Sequence, residues 1–256
     1  MKLENSLAIV TGGASGLGEA TVRHIISRGG KAAIFDLNGE KGEALAAEYP
    51  GKAIFAKVDV ADEGSVVAGL AATTAAFGAV NACVNCAGIP GKIGRIVGKS
   101  GPMALADFEK VIRINLIGAF NVARLAAAEM LKNPPAESGE RGLIVNVSSL
   151  AGIEGQMGQV SYAASKAGVI GMMLPMVRDL AQFGVRVLTV APGLFETPMG
   201  AGTPPEVKER LIATLEFPKR MGMPAEFASL VAHLIENPYL NGEVIRIDAG
   251  TRSPPR

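Results

Sequence analysis

Seven short apolar runs, separated by stretches of helical length, decide most of what this chain can fold into. The runs fall at residues 7–10, 31–36, 53–58, 80–86, 143–147, 185–190 and 243–247, and helical patterns lie near 17–29, 40–48, 63–77, 105–131, 160–182, 205–215 and 225–235. Most runs are continuous rather than alternating (Leu7-Ala8-Ile9-Val10 is the first), as strands are when both faces of a sheet are covered. Regular alternation of such strands with helices implies right-handed crossovers. The expected fold is therefore α/β: a Rossmann-type, doubly wound, seven-stranded parallel sheet with helices on both faces. No Pro/Ser-rich linker and no internal repeat divides the chain, so residues 1–256 are expected to form one domain, with 133–142 a surface loop.

Charge and composition narrow the function. Lys and Arg total 25 against 24 Asp and Glu, a net charge of +1 that gives no support to a nucleic-acid partner. Residues 64–91 carry no charge, but they include Ser65, Thr73, Asn81 and Asn85 and divide at Gly78 into a helical and an extended pattern. A membrane span needs about 20 predominantly apolar residues in one helix, so no membrane association is expected. Met1-Lys2-Leu3-Glu4-Asn5-Ser6 has no signal or transit character, and two cysteines make no disulfide framework. Together these suggest a cytoplasmic, reducing location.

Glycine is over-represented, at 32 of 256 residues against a usual share of roughly 7%. Its first cluster is Thr11-Gly12-Gly13-Ala14-Ser15-Gly16-Leu17-Gly18, between a strand and a helix. Gly12, Gly16 and Gly18 there allow a tight turn and bring a pyrophosphate against main-chain N–H groups at a helix start. Asp36 ends the second strand. A carboxylate in that position accepts hydrogen bonds from the adenosine ribose and repels a 2′-phosphate, favouring NAD over NADP; the plainer alternative is a helix cap. Ser15 before Gly16, rather than a basic residue, points the same way. Gly88 and Gly193 follow strand ends where cofactor is expected to lie.

The helix starting near Val160 carries Tyr162-Ala163-Ala164-Ser165-Lys166. Tyr and Lys four apart share a helix face, so the ammonium is expected to lower the phenol pKa, each unit requiring about 1.4 kcal/mol. Ser149, in Asn146-Val147-Ser148-Ser149, ends the fifth strand, and the C-terminal ends of parallel strands face the ligand crevice. Asn115 interrupts an apolar helix. It is either a satisfied buried amide or a link in a proton path to Lys166. The expected chemistry is secondary alcohol to ketone, with Tyr162 as base and Ser149 holding the substrate oxygen.

In combination these residues resemble the short-chain dehydrogenase/reductase family, over essentially the whole chain. The resemblance rests on residues 11–18, Asp59-Val60, Asn85-Cys86-Ala87-Gly88, Asn115, Ser149, Tyr162, Lys166, and Pro192-Gly193 with Thr197. The second half is similar to one branch, the type 2 3-hydroxyacyl-CoA dehydrogenases, also called 17β-hydroxysteroid dehydrogenase type 10. It shares Glu154-Gly155-Gln156, Ala191-Pro192-Gly193-Leu194-Phe195, Ile235-Glu236-Asn237-Pro238 and residues 240–246. The resemblance implies NAD contacts from Ser15, Leu17, Asp36, Asp59, Val60, Cys86, Phe195 and Thr197 besides Tyr162 and Lys166. It implies substrate contacts from Ser149, Gln156 and Tyr162, a substrate such as (S)-3-hydroxyacyl-CoA, a steroid or a hydrophobic alcohol, and a homotetramer. Alternatives are a reductase of 3-oxoacyl thioesters or small ketones, and a dinucleotide-sensing or RNA-processing subunit with incidental catalysis.

Other features are weighed against plainer readings. Cys83-Val84-Asn85-Cys86 matches a C-x-x-C pair, but residues three apart on a strand face opposite ways, and no further Cys/His cluster completes a metal site. Lys92, Arg95 and Lys99 lie in a Gly-rich stretch without acidic residues. They are either solvated or partners for CoA phosphates. Phe195, Met199, Gly200 and Gly202 suggest a mobile cover over substrate.

Overall fold

The computed structural model describes residues 1–99, 101–201 and 204–252. The main strands are β1 (Leu7–Thr11), β2 (Lys31–Asp36), β3 (Ala53–Lys57) and β4 (Ala82–Asn85). A two-residue antiparallel pair follows, β5 (Val97–Gly98) and β6 (Gly101–Pro102), and then β7 (Gly142–Val147), β8 (Val185–Pro192) and β9 (Val244–Ile247). The helices are α1 (Gly16–Ser27), α2 (Gly39–Ala47), α3 (Glu63–Phe77), α4 (Leu105–Ile112), α5 (Gly118–Met130), α6 (Val160–Leu180), α7 (Pro205–Ala213) and α8 (Pro224–Glu236). The large sheet runs β3-β2-β1-β4-β7-β8-β9, parallel throughout.

Apolar strand residues serve both faces. Val10, Ile34, Val84, Val145 and Leu188 pack with α1 and α8 through Val22, Ile25, Phe227 and Val231. Ile9, Cys83, Ile144 and Val187 pack with α3, α5 and α6 through Val66, Leu70, Val122, Met130 and Met173. Continuous apolar strands are the sequence signature of this two-sided burial.

The strand order reverses between β1 and β4, so the carboxyl ends of these two strands part and leave a crevice. Just below it, one register level carries polar side chains across four strands: Thr11, Asn85, Asn146 and Thr189. All four are buried. Asn85 donates to Asn146 Oδ1 at 2.9 Å and to the Ala119 carbonyl at 3.3 Å, and Thr11 Oγ1 accepts from Ala87 N at 3.0 Å. Among the described residues, the Asn146 amide nitrogen and the Thr189 hydroxyl have no hydrogen-bond partner.

The seven-stranded parallel sheet expected from the sequence is present, with adjusted boundaries. β4 is shorter than the 80–86 run, and β8 continues to Pro192. The pattern at 105–131 divides into α4, a π-helical turn at Arg113–Ile117 and α5. Residues 133–142 form a loop, but Glu140 within it turns inward and pairs with Arg186 at 2.7 Å and with the Met1 ammonium at 2.7 Å. Leu105–Met130 and Val160–Phe183 are each long and apolar enough to cross a membrane by length and composition. Both are packed against this sheet through α5 and α6, and both carry residues of the crevice described next.

Candidate active site

The crevice is a cleft of about 1340 Å³, larger than the roughly 300–1000 Å³ typical of a single small-molecule site. At one end lies the glycine turn between β1 and α1. Gly12 and Gly16 have φ of +62° and +57°, a region that side chains disfavour. A Cβ on Gly18 would collide with the Gly12 carbonyl oxygen, and one on Gly12 would stand 3.0 Å from the Ala87 backbone. The turn is therefore closed tightly against α1 and against the Cys86-Ala87-Gly88 segment after β4. Ser15 is the N-cap residue of α1, and its hydroxyl makes no capping bond. Ser15, Leu17 and the surrounding glycines line the cleft at that helix start, where N–H groups suit a phosphate.

Asp36 closes this end. Its two carboxylate oxygens accept from Ala14 N at 3.1 Å and Asn38 N at 3.0 Å. The helix cap for α2 is Asn38, whose side chain accepts from Lys41 N, so Asp36 is not spent on capping. Asp59, Val60, Cys86, Ala87 and Gly88 line the same cleft. These residues form a cradle that fits a dinucleotide: a Cβ-free phosphate turn at one end and a carboxylate for ribose hydroxyls beside it.

Ser149, Tyr162 and Lys166 stand at the other end. Ser149 follows β7; its hydroxyl accepts from Ala151 N at 3.1 Å and lies close enough to the Tyr162 phenol to lower its pKa. Lys166 Nζ lies 5.8 Å from the Tyr162 ring centroid and donates to the Val147 carbonyl at 2.8 Å. The helix is pinned from below, because Ser148 Oγ donates to the Lys166 carbonyl at 2.8 Å; within it, Ser165 Oγ donates to the Tyr162 carbonyl at 2.8 Å. Burial pushes the Tyr162 phenol up, and the Ser149 bond opposes it. Burial drives Lys166 down to about 8, opposed by the Cys86 thiol. The expected lowering of the Tyr162 pKa by Lys166 thus does not appear. Desolvation of the phenol outweighs the opposing Ser149 contact.

Asn115 sits in the π turn, a distortion that often marks functional positions. Its Oδ1 accepts from Ile89 N at 2.8 Å, and its Nδ2 donates to the Ile89 carbonyl at 2.9 Å and to Ser165 Oγ at 3.1 Å. It is a satisfied buried amide and also a brace, since it ties the segment after β4 to α6. A Cβ on Gly88 would approach Asn115 Oδ1 to 3.1 Å and Lys166 Nζ to 3.5 Å. Only glycine leaves that space open.

The segment after β8 forms the far wall. Gly193 N donates to the Ile247 carbonyl at 2.9 Å, following Pro192. Phe195 is buried edge-on against Phe227, with ring centroids 6.3 Å apart. Thr197 and Pro198 stand 3.5 Å from a Cβ placed on Gly16, so this wall reaches the phosphate turn. Met199 and Gly200 also line the cleft; Gly202 lies outside the described residues.

A profile described as short chain dehydrogenase matches residues 6–208, which span the glycine turn, Asp36, Asn115, Ser149, Tyr162, Lys166 and Thr197. The chain belongs to the short-chain dehydrogenase family. Among its relatives, human 3-hydroxyacyl-CoA dehydrogenase type-2 is 47% identical over 250 residues, covering 97% of this chain and 96% of the relative. A 3-oxoacyl-[acyl-carrier-protein] reductase of Thermotoga maritima is 36% identical over 255 residues, covering 98% and 99%. The crystal structure of 3-hydroxyacyl-CoA dehydrogenase type-2 from Mycobacterium avium superimposes with a TM-score of 0.95 at 45% identity, covering 99% of this chain and 98% of that one. This short-chain dehydrogenase is an oxidoreductase of CH–OH groups, from a family that uses a nicotinamide dinucleotide.

Some expected residues of the short-chain dehydrogenase lie elsewhere. Gln156 lines a separate cavity of about 380 Å³ with Arg95, Ile96, Met157 and Ala163. The turn before α6, closed by Gln159 N donating to the Gln156 carbonyl at 3.2 Å, carries Gln156 away and leaves Gln159 lining the main cleft. Of the loop cations, Lys92 faces Asp107 at 3.6 Å, Arg95 edges the second cavity, and Lys99 is exposed in the turn between β5 and β6. None of the three lines the main cleft. Lys110, Arg113 and Ile114 do, and were not singled out from sequence because a charged helix surface is unremarkable there.

Proposed function

We propose that this chain is an NAD-dependent dehydrogenase interconverting a 3-hydroxyacyl-CoA and its 3-oxoacyl-CoA. The observation carrying the reading is that Ser149, Tyr162 and buried Lys166 line one end of a single cleft whose other end holds Asp36 and the glycine turn. When bound, the nicotinamide accepts or returns the hydride. The remaining work belongs to the chain. Tyr162 takes the proton of the substrate hydroxyl in oxidation and returns it in reduction. Ser149 donates to the substrate oxygen and orients it over Tyr162. Lys166, held by the Val147 carbonyl, lends positive charge to the phenolate as it forms and is positioned to hold ribose hydroxyls. Asn115 braces the segment on which cofactor rests.

Asp36 supports NAD, since its carboxylate opposes a 2′-phosphate. The acyl-CoA substrate is supported by the names of the human and mycobacterial relatives. The reductase relative favours the second reading, biosynthetic reduction of a 3-oxoacyl thioester. Gly12, Gly16, Gly18, Ser15, Leu17, Asp59, Val60, Cys86, Ala87, Gly88, Pro192, Gly193, Phe195 and Thr197 are proposed to bound the dinucleotide. Exposed Ile117 in the π turn, Phe120 on α5 and Leu174 on α6 support a homotetramer closing over them. Two unpaired cysteines and the balanced charge are consistent with a cytoplasmic enzyme that binds neither nucleic acid nor membrane.

The deciding experiment measures NAD- and NADP-linked turnover of 3-hydroxybutyryl-CoA, a hydroxysteroid and simple secondary alcohols. NAD-linked oxidation of the CoA thioester is expected to be the most efficient. Turnover of simple alcohols without acyl-CoA activity would overturn the substrate while leaving the family chemistry. NADPH-preferring reduction would favour the biosynthetic reading.

A further inference from the structure

Among the described residues, four cations line the main cleft: Lys110, Arg113, Lys166 and Lys208. Two are already satisfied. Lys166 is buried and donates to the Val147 carbonyl, while Lys208 is paired with both oxygens of Glu196 at 2.8 and 3.0 Å. Lys110 and Arg113 are exposed, and among the described residues neither side chain has a hydrogen bond or an ion pair. They are three apart across the junction of α4 and the π turn, which places their Cβ atoms about 5–6 Å apart on one face. Lys110 stands five residues before Asn115, roughly 7.5 Å along the helix axis. The brace from Asn115 to Ile89 therefore fixes the cation pair relative to the catalytic end. Ile89, Pro90 and Ile93 line the cleft beside them.

The acids of the cleft do not compensate this pair. Asp36 and Asp59 receive main-chain N–H bonds, from Ala14, Asn38 and Ala61, and Glu196 is taken by Lys208. Two unneutralised cations beside Ile89, Pro90, Ile93 and Ile114 in the lining of a cleft of about 1340 Å³, above the usual single-ligand range, fit a second ligand that is apolar at one end and polyanionic at the other.

We infer that Lys110 and Arg113 bind the phosphate groups of the CoA carrier, and that the thioester arm runs from them along Ile89, Pro90 and Ile93 to Ser149 and Tyr162. The assignment deepens the proposed function and rests on it for the substrate class. It moves the anion site from the 92–99 loop to the wall of α4. Arg113 offers a planar fork for two phosphate oxygens and Lys110 a mobile point charge.

The test measures CoA binding by calorimetry on the NADH-loaded enzyme, for wild type, Lys110→Ala/Arg113→Ala and a Lys92→Ala/Lys99→Ala control. Tenfold or greater weakening in the first double variant is expected, with the control near wild type and NADH affinity unchanged. The KM for 3-hydroxybutyryl-CoA should rise similarly, while the KM for the phosphate-free N-acetylcysteamine thioester should not. Wild-type CoA affinity in the Lys110/Arg113 variant overturns the inference. So does loss of NADH affinity in the same proportion, which would assign the cations to the cofactor, and so does absence of CoA binding by wild type. If wild type binds CoA through these residues but does not oxidise the 3-hydroxyacyl thioester, the proposed function falls and this inference stands.

Discussion

Lys166 donates its ammonium to the main-chain carbonyl of Val147 at 2.8 Å, two residues before Ser149. One bond thus ties the end of β7 to the second turn of α6, and Ser148 Oγ on the Lys166 carbonyl repeats the tie. The positions of Ser149 and Tyr162 relative to each other are set by this double link rather than by the Ser149–Tyr162 bond alone.

Its electrostatics give the first prediction. Burial lowers Lys166 to about 8, whereas an unfolded lysine titrates near about 10.4. Between those values the unfolded chain holds the extra proton, so the burial penalty is complete below pH 8 and relieved as pH rises toward 10. The full difference corresponds to roughly 3 kcal/mol. The two buried thiols, raised in the fold, work in the opposite direction, so comparison with Lys166→Met isolates the lysine. Urea unfolding at pH 7.5 and 9.5 should show the variant's stability relative to wild type falling as pH rises. Parallel profiles would contradict the assignment.

The second concerns Tyr162. Burial raises its pKa and the Ser149 hydrogen bond lowers it, so losing that bond removes the opposing influence. In Ser149→Ala the rising limb of oxidation against pH should move upward. Tyr162→Phe should lose most turnover while retaining NADH binding. A limb that stays in place would show that the Ser149 contact does not tune the phenol.

Cys86 lines the cleft, yet burial pushes its thiol up to about 12 despite the opposing Lys166 charge, and burial raises Cys83 as well. The thiolate is the reactive form. Iodoacetamide at pH 8 should leave both cysteines unmodified in the native enzyme and label both in denaturant, as intact-mass spectrometry would report. Rapid native labelling of Cys86 would refute the protected state.

Away from the cleft, Arg186 pairs with Glu140 and donates to the carbonyls of Leu234, Ile235, Asn237 and Leu240. It closes the C-terminal end of α8 and its following turn. Arg186→Met should cost about 3–5 kcal/mol in chemical denaturation, because Glu140 and these acceptors lose their donor. Adding Glu140→Met should recover part of the loss; a neutral single variant would remove Arg186 from the stability account.

Much of this architecture is legible in the sequence. Strands buried on both faces are written as unbroken apolar runs, and Tyr162 with Lys166 carries its geometry in a four-residue spacing. The π turn at Arg113–Ile117, the β5–β6 pair and the diversion of Gln156 are not legible, because each depends on contacts between distant segments. The direction of the Tyr162 shift is not legible for another reason: spacing places Lys166 nearby but does not reveal the burial that raises the phenol. Lys110 and Arg113 read as ordinary helix surface until the fold turns that surface toward the cleft.

The level of Thr11, Asn85, Asn146 and Thr189 marks a boundary in how the molecule exchanges with solvent. Below it, the amides of β1, β4, β7 and β8 are roofed by alkyl side chains on both faces and can exchange only by opening the sheet. Above it, the glycine turn and the segments after β4 and β8, proposed to meet a dinucleotide, are turns fastened by a few individual bonds. Hydrogen–deuterium exchange should therefore divide the chain at this level, with ligand slowing the upper turns and leaving the amides beneath untouched. The enzyme can then reshape its rim around successive ligands without drawing on the stability of the slab that carries it.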